Sequence, residues 1–83
     1  NYREKYDLVF IDGDHTYDGV KRDIELYEPL CSSTLIFHDI LPKERKDFYV
    51  QVYPAIVDSN IVLDREIIYD GKMMGIGLKF YNN

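Results

Sequence analysis

An α/β layer is the fold this 83-residue sequence predicts, and three features predict it. Two short apolar runs each end abruptly in polar, chemistry-bearing side chains. A stretch with helical spacing lies between them. Two β-rich segments separated by a turn signal close the chain. The order reads β-α-β-α-β-β, mostly parallel, with an antiparallel hairpin at the end.

Asn1 to Lys5 is polar and reads as a loop or the end of a preceding helix. Leu8 to Ile11 is a continuous apolar run rich in Val and Ile and closed by Gly13, the pattern of a strand buried on both faces. Thr16 is the candidate N-cap of the helix that follows, with Asp14 as the other candidate. Val20, Ile24, Tyr27 and Leu30 recur at helical spacing, while Lys21, Arg22, Asp23 and Glu25 fill the opposite face. Asp18 complements the helix dipole. Pro29 disfavours helical geometry at Glu28, so the helix stops or kinks there. Strand, helix and strand make a βαβ unit, whose crossover is right-handed in about 98% of cases.

Ser32 and Ser33 are read as the turn into a second strand, Thr34 to His38. Ile40-Leu41-Pro42 leaves it, and Lys43 to Asp47 is a solvated charge run. Within Phe48 to Val57 a helix is expected to start near Gln51, with Pro54 in its first turn. Ile61 to Leu63 and Glu66 to Tyr69 are β-rich. Asp70-Gly71-Lys72 signals a turn, lengthened by Met73 and Met74. Gly75 to Tyr81 is the last strand.

Composition narrows the function. With 46% hydrophobic and 30% charged residues, the chain belongs to the globular class. It is a single small domain with a modest core. A net charge of −5 without a basic stripe argues against nucleic acid as a partner. The single cysteine, Cys31, excludes an internal disulfide and fits a reducing, cytoplasmic setting. No apolar run approaches the ~18 residues of a membrane span.

The chemistry concentrates where the two apolar runs end. In open parallel sheets, ligands bind beyond the carboxyl ends of the strands. Neighbouring strands ending in Asp12-Gly13-Asp14-His15 and in His38-Asp39 aim Asp12, Asp14, His15, His38 and Asp39 into one crevice. Carboxylates alone suit Mg²⁺ or Mn²⁺, and an added imidazole tilts the set toward Mn²⁺, Fe²⁺ or Zn²⁺. His15 or His38 serves equally well as a general base. An Asp-rich turn made permissive by Gly13 would show the same residues without any ligand. Gly75-Ile76-Gly77 lacks the third glycine and the following helix of a dinucleotide fingerprint, so close strand packing is its reading. Met73 and Met74 read as core filling, Tyr17 as a half-buried side chain near the crevice, and Cys31 as a small hydrophobe.

Phe10-Ile11-Asp12-Gly13-Asp14-His15-Thr16-Tyr17-Asp18-Gly19-Val20, then Asp23, Leu30 and Phe37-His38-Asp39, resembles the second half of a class I S-adenosylmethionine-dependent methyltransferase. The nearest flavour is the small-molecule O-methyltransferase group with an "IDGDH" segment. Met74-Gly75-Ile76-Gly77-Leu78 is similar to the last strand of that group. The resemblance runs from about Tyr6 to about Tyr81.

It implies half of a Rossmann-like seven-stranded sheet, strands four to seven, with the last strand antiparallel and inserted beside the fifth. Residues 1–83 are then one partial domain, the C-terminal half of a catalytic domain. The strands that hold most of the donor would lie elsewhere, leaving Leu8 to Ile11 as an apolar sheet edge. Such an edge invites pairing with another chain, another copy or an N-terminal half, and the isolated chain is expected to be inactive. The implied reaction is methyl transfer to O or N of a small molecule, with S-adenosylmethionine as donor. By position, Asp12, Gly13, Asp14 and His15 would contact the donor, Asp12 and His15 would be catalytic, and Asp12, His38 and Asp39 would hold a divalent metal. His38 departs from the pattern, since Glu is common there in the metal-dependent relatives. Ser32-Ser33-Thr34 replaces a Gly-Gly turn. Two other readings remain beside this one: a non-catalytic α/β association module, and a metal-dependent hydrolase or hydroxylase on a similar sheet.

Overall fold

A computed structural model describes residues 5–13, 15–41, 51–68 and 75–81. Strand β1 (Tyr6–Ile11) is followed by helix α1 (Tyr17–Tyr27), a 3₁₀ turn at Glu28–Leu30, and strand β2 (Cys31–His38). Helix α2 (Val52–Asp58) and strands β3 (Arg65–Ile68) and β4 (Gly75–Phe80) complete the described elements. Strand order is β1-β2-β4-β3. β1 and β2 pair in parallel, while β4 is antiparallel to both β2 and β3. The sheet is therefore mixed. Three strands run one way and the last two pair antiparallel, as expected, but β4 is inserted between β2 and β3, so two of the three pairings are antiparallel.

Helix α1 starts and stops where local chemistry dictates. The Thr16 hydroxyl accepts a hydrogen bond from the Gly19 amide at 3.2 Å, so Thr16 rather than Asp14 is the N-cap. Replacing Thr16 with Ala is expected to cost about 0.5–2 kcal/mol, read as a lower urea midpoint at unchanged slope. Pro29 ends the α-helix, which tightens into the 3₁₀ turn. Helix α2 begins after Gln51 and carries Pro54 in its first turn, where the missing N–H costs least.

Three expectations are corrected. Ser32 and Ser33 belong to β2 rather than to a turn before it. The Ser32 hydroxyl reaches across to the Tyr6 carbonyl at 3.2 Å and the Asp7 carboxylate at 2.9 Å, and Ser33 accepts from the Tyr81 amide at 2.7 Å. The β1–β2 register shifts at this point, so the two serines form a bulge inside the strand. Ile61 to Leu63 is not a strand. The Ile61 amide donates back to Ile56 at the end of α2, and only after Asp64 does the chain join the sheet. Finally, β1 is buried on one face, not both: Leu8 is 61% exposed and Phe10 54%, whereas Ile11 is buried. The charge run Lys43 to Asp47, the turn Asp70-Gly71-Lys72 with Met73 and Met74, and Asp14 all lie outside the described residues.

The register explains the one-sided burial. Val9, Ile11, Leu35, Phe37 and Gly77 share a face. Ile11, Leu35 and Phe37 there join Val20 and Ile24 of α1, Val52, Ala55 and Ile56 of α2, and Ile40 in one core. Leu8, Phe10, Ile36, Leu78 and Phe80 occupy the opposite face, and Leu8, Phe10 and Phe80 are exposed. Neither described helix covers that face.

Gly77 is needed for the packed face. A Cβ there would stand 2.6 Å from Leu63 Cδ1 and 3.2 Å from Ile40 Cγ2, and one at Gly75 would stand 3.0 Å from Ile40 Cγ1. The close-packing reading of these glycines therefore holds. Gly77→Ala is expected to cost about 1–3 kcal/mol through overpacking, measured by urea unfolding. Beyond β4, the Tyr81 hydroxyl donates to Glu28 at 2.6 Å and ties the chain end to the 3₁₀ turn. Burial, reinforced by that hydrogen bond, holds the Tyr81 phenol well above the usual tyrosine range.

Candidate functional site

Parallel pairing of Ile11 with Phe37 makes β1 and β2 end side by side, at the same end of the sheet. Asp12 continues from one strand and His38-Asp39 from the other, so the two polar tips converge. Asp12 Oδ1 lies 3.3 Å from His15 Nε2 and 3.3 Å from His38 Nδ1. Asp39 Oδ2 lies 3.3 Å from His38 Nδ1 and 3.6 Å from His15 Nδ1. Carboxylates and imidazoles thus alternate around a ring of four side chains. Each imidazole faces two carboxylates, a set of nitrogen and oxygen donors that suits a bound cation.

Backbone contacts hold these side chains in place. Asp39 adopts a left-handed conformation, φ 61°, uncommon outside glycine but tolerated by Asp. The amides of Asp39 and Ile40 both donate to the Gly75 carbonyl, at 2.9 and 3.3 Å. The tip of β2 is therefore anchored on the start of β4. The Gln51 amide donates to the His15 carbonyl at 2.8 Å, anchoring the other tip on the start of α2. Sequence reasoning missed both anchors. They are main-chain contacts between distant segments, and neither Gln51 nor Gly75 carries a local signal for them.

Of the residues expected at the site, Asp12, His15, His38 and Asp39 are brought together. Gly13 adjoins Asp12 and faces α1, where a Cβ would meet the Asp23 carboxylate at 3.2 Å. Tyr17 does not cover the crevice with its hydroxyl, which donates instead to Asp58 at 2.7 Å and joins α1 to α2. An open cleft of about 630 Å³ runs along the β1 edge between Phe10, Asp12, Gly13, Arg22 and Tyr27. Among the described residues that line it, Asp12 is the one it shares with the four-residue ring.

The donor chemistry fits a divalent cation. Asp12, His15 and His38 each offer one donor atom, and these atoms lie within 4.8 Å of one another. A cation held there would acidify a coordinated hydroxyl.

Residues 1–40 match the family model described as a methyltransferase domain. The match supports a methyltransferase domain and a methyltransferase-like function. It spans β1, α1 and β2 and includes all four residues of the ring. A methyltransferase family implies a donor of the S-adenosylmethionine type in general. No curated protein and no solved structure matches the chain. The α/β architecture, a four-stranded mixed sheet with two helices, is consistent with part of a methyltransferase-like fold. Among the described residues, no helix is long and apolar enough to cross a membrane.

Proposed function

We propose that this chain contributes the acceptor-side portion of an S-adenosylmethionine-dependent methyltransferase of the small-molecule O-methyltransferase kind, acting on O or N. The observation that carries the proposal is the convergence of Asp12, His15, His38 and Asp39 inside the segment that matches a methyltransferase domain. Displacement of a methyl group from a sulfonium needs alignment of nucleophile, carbon and sulfur, together with removal of the acceptor's proton. Asp12 and His15 are the groups assigned to that proton. Asp12, Gly13, Asp14 and His15 are the residues assigned to contact with the donor. A single, buried cysteine, Cys31, suits a cytoplasmic setting.

The sheet is proposed to be completed by further strands beside β1, from another chain, another copy or an N-terminal half. The exposed Leu8 and Phe10 on the edge strand and Phe80 on the same face support this. Two measurements test the reading. Calorimetric titration of the 83-residue chain with S-adenosylmethionine is expected to show no tight binding, and tight binding would overturn the completed-sheet proposal. The natural protein that carries this sequence is expected to transfer label from the methyl group of the donor to a phenol, alcohol or amine. Hydrolysis or hydroxylation products without label transfer would overturn the methyl-transfer proposal. The bare apolar face also favours a second reading, a module used for association alone. That reading predicts wild-type behaviour after Asp12→Ala and Asp39→Ala.

A further inference from the structure

We infer that Asp12, His15 and His38 bind one divalent transition-metal cation of the Zn²⁺ class, with Asp39 acting as the residue that orients His15. The ligand set differs from the one expected by position, because His15 replaces Asp39 and the donors become two nitrogens and one oxygen. Ligands held at ~2.0–2.1 Å around a tetrahedral centre stand about 3.3–3.4 Å from one another. Two edges of the donor triangle already have that length: Asp12 Oδ1 to His15 Nε2 and Asp12 Oδ1 to His38 Nδ1, both 3.3 Å. All three donor atoms fall within 4.8 Å, so a small ring rotation closes the third edge.

Nitrogen content decides the metal. Mg²⁺ demands oxygen ligands in octahedral geometry, whereas imidazole suits Zn²⁺ and its first-row neighbours. The Asp12 side chain is 47% exposed, so one flank of the triangle opens to solvent. Three protein ligands and an open position form the pattern of a catalytic rather than a structural zinc site. Asp39 Oδ2 lies 3.6 Å from His15 Nδ1, the ring nitrogen that does not face Asp12, and 3.3 Å from His38 Nδ1. At 3.6 Å the contact with His15 is an ion-pair distance, and the ring rotation that seats the cation would have to bring the carboxylate into hydrogen-bond reach, where it would fix the tautomer and direction of the metal-bound imidazole.

This inference goes beyond methyl transfer and does not rest on it. Cation and proton compete for the same lone pairs on Asp12 and His15, and a titration without donor separates the two cases. The chain, shown to be folded by a cooperative urea transition, is titrated with Co²⁺ as a spectroscopic probe. One equivalent is expected to give visible ligand-field bands of a four- or five-coordinate centre. Equimolar Zn²⁺ is expected to abolish them and a 100-fold excess of Mg²⁺ to leave them. Asp39→Asn is expected to weaken Zn²⁺ binding about 10–100-fold, and His15→Gln and His38→Gln to weaken it more. Absence of the bands in the folded wild-type chain, their persistence in folded His15→Gln, or displacement by Mg²⁺ would each overturn the assignment. None of those results bears on whether labelled methyl groups are transferred.

Discussion

Replacing Phe37 with Ala is expected to remove about 3–5 kcal/mol of stability, enough to abolish cooperative folding of a domain this small. Phe37 is fully buried and heads the largest fully buried side chains of the core. It lies between Ile11 on β1 and Gly77 on β4, so its ring fills the centre of the packed face. The gap left by truncation would be walled by the packed side chains of the core, which close on it only in part. Native stability of small domains is only about 5–15 kcal/mol, and short chains lie at the low end. Urea unfolding followed by far-UV circular dichroism is expected to show no folded baseline for Phe37→Ala. Phe37→Leu is expected to retain a transition at lower midpoint. A wild-type midpoint for the alanine variant would mean that β2 does not sit at the centre of this layer. Because His38 directly follows Phe37, the site depends on the same packing.

How far the sequence disclosed this architecture depended on whether a signal was local. The Thr16 cap, the stop at Pro29 and the first-turn position of Pro54 are written in residues a few positions apart, and all three appear in the structure. The glycines of β4 announced close packing. The adjacency of the two polar tips followed from the βαβ pattern, since a parallel pair brings both strand ends to one side. What the sequence concealed is set by distant partners. Leu8 to Ile11 is uniformly apolar, but an apolar run does not record whether both faces are covered. Ser32 and Ser33 look like a turn until their bonds to Tyr6, Asp7 and Tyr81 are seen. Ile61 to Leu63 has strand propensity, yet the return bond from Ile61 to Ile56 keeps it at the end of α2. The φ of Asp39 has the same origin, because two amides converge on the Gly75 carbonyl.

Asp12→Asn in the natural protein is expected to lower kcat/KM for methyl transfer about 10²- to 10⁴-fold, the range for losing a positioned acid–base group. That corresponds to roughly 2.7–5.5 kcal/mol of transition-state stabilisation, at 1.36 kcal/mol per decade. Asn keeps the shape of the side chain and removes its charge. Asp12 is the pivot of the ring, since one oxygen faces both imidazoles at 3.3 Å. Neutralising it leaves His15 and His38 with Asp39 as their remaining carboxylate in the ring. Stability is expected to change by no more than about 0.5 kcal/mol, because the side chain is exposed and lies outside the core. The loss should therefore appear in turnover of labelled donor while the urea midpoint stays in place. An exposed carboxylate elsewhere, Asp18 on the outer face of α1, serves as the control and should leave turnover unchanged as Asn. The same loss follows whether Asp12 takes a proton or a cation, and the cobalt titration distinguishes the two. A turnover within threefold of wild type for Asp12→Asn would remove the ring from the reacting centre. The bare face of Leu8, Phe10 and Phe80 would then be the feature that defines the chain, and association rather than catalysis its role.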